Sequence, residues 1–177
     1  MKKGILLLAV LQIGLAASAQ IKYKGFVESG ASVIVGKYDG ETYQLSTSHG
    51  IMHGHFYYGL GIGYDIYSVR NPDYNPEPQK RSVVQQNFPL YLDVRGFFLE
   101  SNRISPVIIM KAGGSIFSDA QPAYLCELGL GGRARLSDRM GLSASVFYRY
   151  HNIGYADDAI IFGNKVSNTG IKVSFDF

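Results

Sequence analysis

The stretch Lys165 to Phe177, K-V-S-N-T-G-I-K-V-S-F-D-F, constrains the fold more than any other part of the chain. From Thr169 onward it alternates without a break: Thr169, Ile171, Val173, Phe175 and Phe177 fall on one face, and Gly170, Lys172, Ser174 and Asp176 on the other. A helix repeats near 3.6 residues and would scatter these groups, whereas a β-strand repeats at two and sorts them. The sequence stops on Phe177, so the strand is expected to close a sheet rather than lead onward. A closing strand with one apolar and one wet side fits a transmembrane β-barrel.

The other end of the chain carries a different signal. Lys2 and Lys3 precede an apolar run from Ile5 to Ala16, and Ala17-Ser18-Ala19 fits the small-x-small cleavage rule. Residues 1–19 therefore read as a secretory signal peptide and residues 20–177 as the barrel domain, with Gln20 as the expected mature N-terminus. The run is shorter than the ~20 residues of a helical span, and no later stretch reaches that length. Removing Lys2 and Lys3 from 17 bases leaves 15 against 14 acids, a net charge of +1 that gives no argument for nucleic acid. With Cys126 as the single cysteine, an intrachain disulfide is excluded. An exported chain without bridges or helical spans leaves a β fold.

Taken in order, the remaining residues read as eight alternating segments: Lys22 to Val35, Thr42 to His49, His55 to Ser68, Val83 to Phe98, Ser105 to Phe117, Tyr124 to Leu136, Gly141 to His151, and Lys165 to Phe177. Turn signals separate them, including Asp39-Gly40 and the stretch around Met52-His53-Gly54. Eight is the smallest strand number usual for a membrane barrel. A soluble lipocalin-like barrel would show the same alternation with its apolar face turned inward. The polar faces decide between the two. They carry Gly59, Gly61, Gly63, Gly113, Gly129, Gly131 and Gly170, and a solvated outer face has no steric need for glycine, while a narrow interior needs it to admit Tyr91, Arg95, Phe147 and Arg149. Aromatics also gather near the ends of the apolar faces: Tyr43, Tyr64, Phe88, Tyr124 and Tyr150 at one end, and Tyr23, Phe56, Tyr58, Phe98, Phe175 and Phe177 at the other. Girdles at the two membrane interfaces have this distribution.

The chain resembles the small outer-membrane β-barrels of Gram-negative bacteria, of the OmpX and OmpA-transmembrane-domain kind. The resemblance rests on the leader, on Tyr58-Gly59-Leu60-Gly61-Ile62-Gly63-Tyr64, on Phe88-Pro89-Leu90-Tyr91-Leu92-Asp93-Val94-Arg95 and on the terminal Phe177. It implies a monomeric barrel in the outer membrane, contacting its lipid, with Phe177 as part of the signal read by the barrel-insertion machinery. With both ends in the periplasm, parity places the connections near Tyr38, Asn75, Asp119 and Asp158 outside, and the turns at His53, Asn102 and Asp138 inside. The two long connections, Val69 to Ser82 and Asn152 to Asn164, then both face outward.

Signals for chemistry are few. His49, His53 and His55 cluster around a turn, but no cysteine or acid accompanies them between Gly50 and Asp65, so neither a metal nor a cofactor is expected. His151 with Ser143 or Ser145 lacks an adjacent acid and lies on the inward face, so no catalytic site is expected. The inward charges Glu28, Asp65, Asp93 and Glu127, among Arg95, Lys111, Arg133, Arg149 and Lys172, suit a network of mutually satisfied pairs that fills the lumen. Lys24, Arg135 and Asp176 join the same expectation. Between Val69 and Ser82, Pro72, Pro76 and Pro78 accompany Tyr74, Lys80 and Arg81, a stiffened surface suited to contact with an extracellular protein or glycan. The sequence thus points to a structural or surface-interaction barrel, with a narrow channel or a lipid-modifying enzyme as alternatives.

Overall fold

The computed structural model describes residues 21–36, 39–70, 82–99, 103–117, 123–137, 139–152 and 165–177. Eight strands run in chain order: β1 (Ile21–Val35), β2 (Asp39–His53), β3 (Phe56–Arg70), β4 (Ser82–Phe97), β5 (Ile104–Phe117), β6 (Ala123–Arg135), β7 (Gly141–Asn152) and β8 (Lys165–Asp176). Each pairs antiparallel with its sequence neighbours, and β8 returns to pair with β1, so the sheet closes. Closure removes every free strand edge, a requirement in lipid, where an unpaired backbone group finds no water.

The register fixes the shape. Stepping across paired residues from Gly25 leads through His49, Leu60, Leu92, Ala112, Cys126, Tyr150 and Ser167 back to β1 at Val35, ten residues further along. A shift of that size over eight strands, at about 3.3 Å per residue and about 4.8 Å between strands, tilts them by about 40°. The shortest strands have 12 residues. At that tilt they rise about 30 Å, enough to cross an apolar band of about 25 Å.

Burial along the strands shows which face points where. Leu60, Leu90, Leu92 and Ile171 are each at least 60% exposed, while Glu28, Asp93 and Arg95 are at most 1% exposed. A soluble protein is built the other way round. The apolar faces form an outer wall suited to hydrocarbon and the charges fill the lumen, as a transmembrane barrel requires and a lipocalin-like barrel forbids.

Several boundaries differ from those expected. β2 runs to His53 rather than His49, because Gly50 and Met52 continue the alternation and pair with Gly59 and Tyr57. The β2–β3 turn is Gly54-His55, with Gly54 at φ 58°, where a side chain would be strained. Asp39-Gly40 is not a turn: both residues belong to β2 and pair with Arg70 and Val69. The β3–β4 pairing likewise continues to Arg70↔Ser82, trimming the expected long connection to 71–81. That connection, including Tyr74, Lys80 and Arg81, lies outside the described residues, as do residues 1–20.

Candidate functional site

Glycine makes the lumen possible. Tyr91 projects inward from β4 with Gly61 directly opposite on β3 and Gly113 directly opposite on β5. A Cβ on Gly61 would lie 2.5 Å from Tyr91 Cζ, and one on Gly113 would lie 2.6 Å from Tyr91 Cα. Phe147 on β7 sits in the same way between Gly129 and Gly170. Lysine ammonium groups then lie against the two rings, Lys111 Nζ 4.8 Å from the Tyr91 centroid and Lys172 Nζ 4.5 Å from that of Phe147. Each ring face takes part of the hydration that the cation lost on burial.

The cations meet carboxylates above the rings. Asp93, Lys111, Glu127 and Arg149 are direct cross-strand partners on β4, β5, β6 and β7, alternating in sign. Glu127 accepts from Lys172 at 2.5 Å and from Arg149 at 2.7 Å, with Lys111 at 3.7 Å. Arg149 reaches Asp65 at 2.6 Å. Arg95 joins Asp93 at 2.5 Å and Glu28 at 3.1 Å, and Lys111 also pairs with Glu28. Ser48 donates to Asp93 at 2.7 Å, and Arg95 donates to Ser174 at 3.2 Å. Eight of the nine anticipated charges thus form one connected cluster, Glu28, Asp65, Asp93 and Glu127 against Arg95, Lys111, Arg149 and Lys172, with no net charge. A charge inside a low-dielectric barrel persists only when its partners are in place, and here each ion has at least one.

Arg133, the ninth, lies apart. It holds Asp176 at 2.6 Å near the end of the barrel that carries Gly54, where Lys24 contacts the same carboxylate at 2.6 Å. Arg135 is exposed at the rim and joins neither cluster. Inward alternation placed it in the lumen, but it is the last residue of β6, where the interior opens to solvent. Between the two ionic clusters, Phe26, Tyr57, Phe97, Val107 and Ile109 form an apolar plug, with Met52 packed against it. The Arg95 guanidinium lies 3.7 Å from the centroid of Phe26. This plug and the cation–ring stacking were not anticipated. Phe26 and Tyr57 break the polar pattern of the inward faces, and that break was the available signal.

Two histidines bond differently from what the sequence suggested. His151, fully buried, shares hydrogen bonds with Ser115 through Nε2 and with Tyr67 through Nδ1 at 2.9 Å, rather than with Ser143 or Ser145. The cluster faces the lumen, where lipid does not reach. His49 faces outward instead. Its Nδ1 lies 2.5 Å from Tyr23 Oη, and its Nε2 lies 3.0 Å from Thr47 Oγ1. Thr47 gives its one proton to the carbonyl of Phe26 at 2.9 Å, so Nε2 donates to Thr47 and Nδ1 accepts from Tyr23. Both ring nitrogens of His49 thus have a partner on the wall. His49 also meets Phe177 edge-on at a centroid distance of 6.1 Å. His53 ends β2 and His55 lies in the turn that follows, and among the described residues no group of three or more His, Cys, Asp or Glu is placed to hold a metal.

Phe177 closes the seam. Its N–H donates to the Gly25 carbonyl at 3.0 Å, and its carbonyl accepts from Gly25 N–H at 2.9 Å. Its ring lies over Gly25, where a Cβ would stand 2.6 Å from Phe177 Cζ. The outward aromatics fall into two girdles. Tyr64 packs on Phe88 and Tyr124 on Tyr150 toward the 71–81 end, and Phe56 on Tyr58 and Phe175 on Phe177 toward the other.

The sequence matches no family model and no curated relative. Solved structures do match its fold. The outer-membrane enzyme PagL superposes with a TM-score of 0.58 at 13% identity, covering 84% of this chain and 97% of that one. Neisserial surface protein A superposes with a TM-score of 0.54, also at 13% identity, covering 88% and 97% respectively. The architecture is therefore that of small eight-stranded barrels solved from bacterial outer membranes.

Proposed function

We propose that the chain is an integral protein of the outer membrane, exported by a cleaved leader, with a lumen closed by its own side chains and a structural or surface-interaction role. The observation that carries this reading is the cross-section. Eight buried charges pair with one another above an apolar plug, and Arg95, Arg149, Tyr57 and Tyr91 are each at most 2% exposed. An eight-stranded barrel encloses a space just wide enough for its side chains, so a filled lumen leaves no room for a steady flow of solute. Activity then falls to the connections. With both ends of the barrel domain in the periplasm, the connection at 71–81 faces the exterior, and Tyr74, Lys80 and Arg81, in a segment that carries Pro72, Pro76 and Pro78, form its contact surface for a protein or glycan. The barrel works as a monomer, without cofactor or catalytic step.

The experiment is reconstitution into planar bilayers beside surface labelling of cells. Purified protein is expected to give no large, steady conductance, and an epitope tag beside Asn75 is expected to be reached by antibody on intact cells. A stable conductance would replace this reading with the narrow channel. A tag reached only after permeabilisation would invert the topology.

A further inference from the structure

Strand parity carries a set of bases into the mouth of the lumen at the end that bears Gly54. Lys22 alternates with Lys24, Arg103 with Ser105 and Arg135 with Arg133, and those three inner neighbours are at most 8% exposed inside the barrel. Lys22, Arg103 and Arg135 therefore ring the opening rather than the wall. Arg139 lies in the connection between β6 and β7, and its carbonyl accepts from Lys24 at 3.2 Å, so that turn borders the same opening. Among the described residues the mouth holds six bases, Lys22, Lys24, Arg103, Arg133, Arg135 and Arg139, against one acid, Asp176. Asp176 is taken by Lys24 and Arg133, and no ion pair joins the other four to a described acid. Counting Glu100, Asp138 and a terminal carboxylate on Phe177 still leaves six bases against four acids.

Two features turn this surplus into a site. Arg135 N–H donates to the Arg103 carbonyl at 2.9 Å, one step past Ile104↔Ala134 on the β5–β6 ladder, so the two side chains stand directly opposite each other on the lumen side. Like charges in that position repel, and a counter-ion between them relieves the repulsion. The floor beneath them is the apolar plug, where Lys24 Nζ lies 5.9 Å from the Phe26 centroid and Arg133 Cζ 5.5 Å from that of Phe97. An opening lined by one sign of charge over a low-dielectric floor focuses its field on whatever enters.

We propose that this mouth binds a phosphate-class oxyanion, bridged between the guanidinium groups of Arg103 and Arg135. Each guanidinium presents parallel N–H groups to phosphate oxygens, and a dianion matches the surplus of two that remains when every acid is counted. Lys22 and Arg139 strengthen the attraction from the rim. The ligand is a dissolved anion rather than a headgroup of the surrounding bilayer, because these positions turn inward from the wall. On the topology proposed above it comes from the periplasm, but the binding itself does not depend on that orientation.

The test is calorimetric titration with inorganic phosphate of the protein in phosphatidylcholine nanodiscs, where both mouths meet solvent. Binding to one site is expected, with an affinity that falls as salt rises. Arg103→Gln and Arg135→Gln are each expected to weaken it by about tenfold or more. Arg103→Lys keeps the charge and loses the fork, so it should weaken binding less than Arg103→Gln, and Lys165→Gln, at the opposite end, should leave it unchanged. Should the Gln variants not fold, Arg103→Lys against the unsubstituted protein carries the comparison. Absence of saturable binding, or an unchanged affinity in the Arg103 variants, would overturn the site. Binding lost when phosphatidylglycerol replaces phosphatidylcholine would show headgroups in the mouth and overturn the assignment to a dissolved anion. A steady conductance in planar bilayers would overturn the closed lumen and leave this site standing.

Discussion

The inside and the outside of the same eight strands obey opposite rules. On the wall, Leu60, Leu90, Leu92, Leu128 and Ile171 need only be apolar, because lipid is a conforming neighbour that fills whatever shape it meets. In the lumen, the large groups at the centre are tied to named partners: Glu127 to three cations, Tyr91 to two glycines and a lysine, Arg95 to two acids and a ring. Adjacent residues on one strand should therefore differ sharply in what replacement costs. The fold's identity lies in its interior and its location in its wall.

The sharpest contrast is at Glu127 and Leu128. Glu127→Ala leaves Lys172 without its carboxylate and takes one of two acids from Arg149 and from Lys111, which keep Asp65 and Glu28, and breaking a buried pair typically costs about 3–5 kcal/mol. Leu128→Ile, one residue along, should stay within about 0.5 kcal/mol. Urea unfolding midpoints in lipid vesicles give both values, and equal effects would end the distinction between the faces. The wall has its own forbidden substitution. Leu92→Arg places a charge against hydrocarbon, at about 2–4 kcal/mol near the bilayer midplane. The same substitution in a water-facing wall would be nearly silent, so the size of the loss separates a membrane barrel from a soluble one.

Smaller effects sharpen the account of the lumen. Gly113→Ala drives a methyl group against the Leu90 carbonyl and the Tyr91 backbone, and overpacking of this kind costs about 1–3 kcal/mol. Gly61→Ala instead drives its methyl group against the Tyr91 ring, so its unfolding midpoint should recover in part when Tyr91 is also shortened to Leu, whereas that of Gly113→Ala should not. Ser174→Ala removes one hydrogen bond from Arg95, which keeps Asp93 and Glu28, and should cost only about 1 kcal/mol. A loss as large as that of Glu127→Ala would mean that the network fails as a unit rather than pair by pair.

Strand number, alternation and the direction of the apolar face were legible in the sequence, since period-two patterning is local and the glycines on the polar faces mark a crowded interior. Two things were not. Which charge meets which depends on the ten-residue shift around the barrel, a closure property that no single strand carries: Asp65 and Arg149 are far apart in sequence, and Arg133 turned away to Asp176 because its strand ends there. The end of β2 was misplaced because Gly50 and Gly54 are both turn formers, and only pairing with Gly59 on β3 shows that the first belongs to the ladder.

The central claim is that neighbouring residues on one strand face lipid and lumen in turn. The chain contains no tryptophan, so a single introduced indole reports its own surroundings. On β7, Val146 and Tyr148 are at least 50% exposed on the wall and Phe147 between them is 3% exposed in the lumen. Val146→Trp, Phe147→Trp and Tyr148→Trp, each reconstituted with brominated lipid, should show strong, weak and strong quenching in that order. Equal quenching at all three positions, or stronger quenching at Phe147 than at its neighbours, would contradict the account.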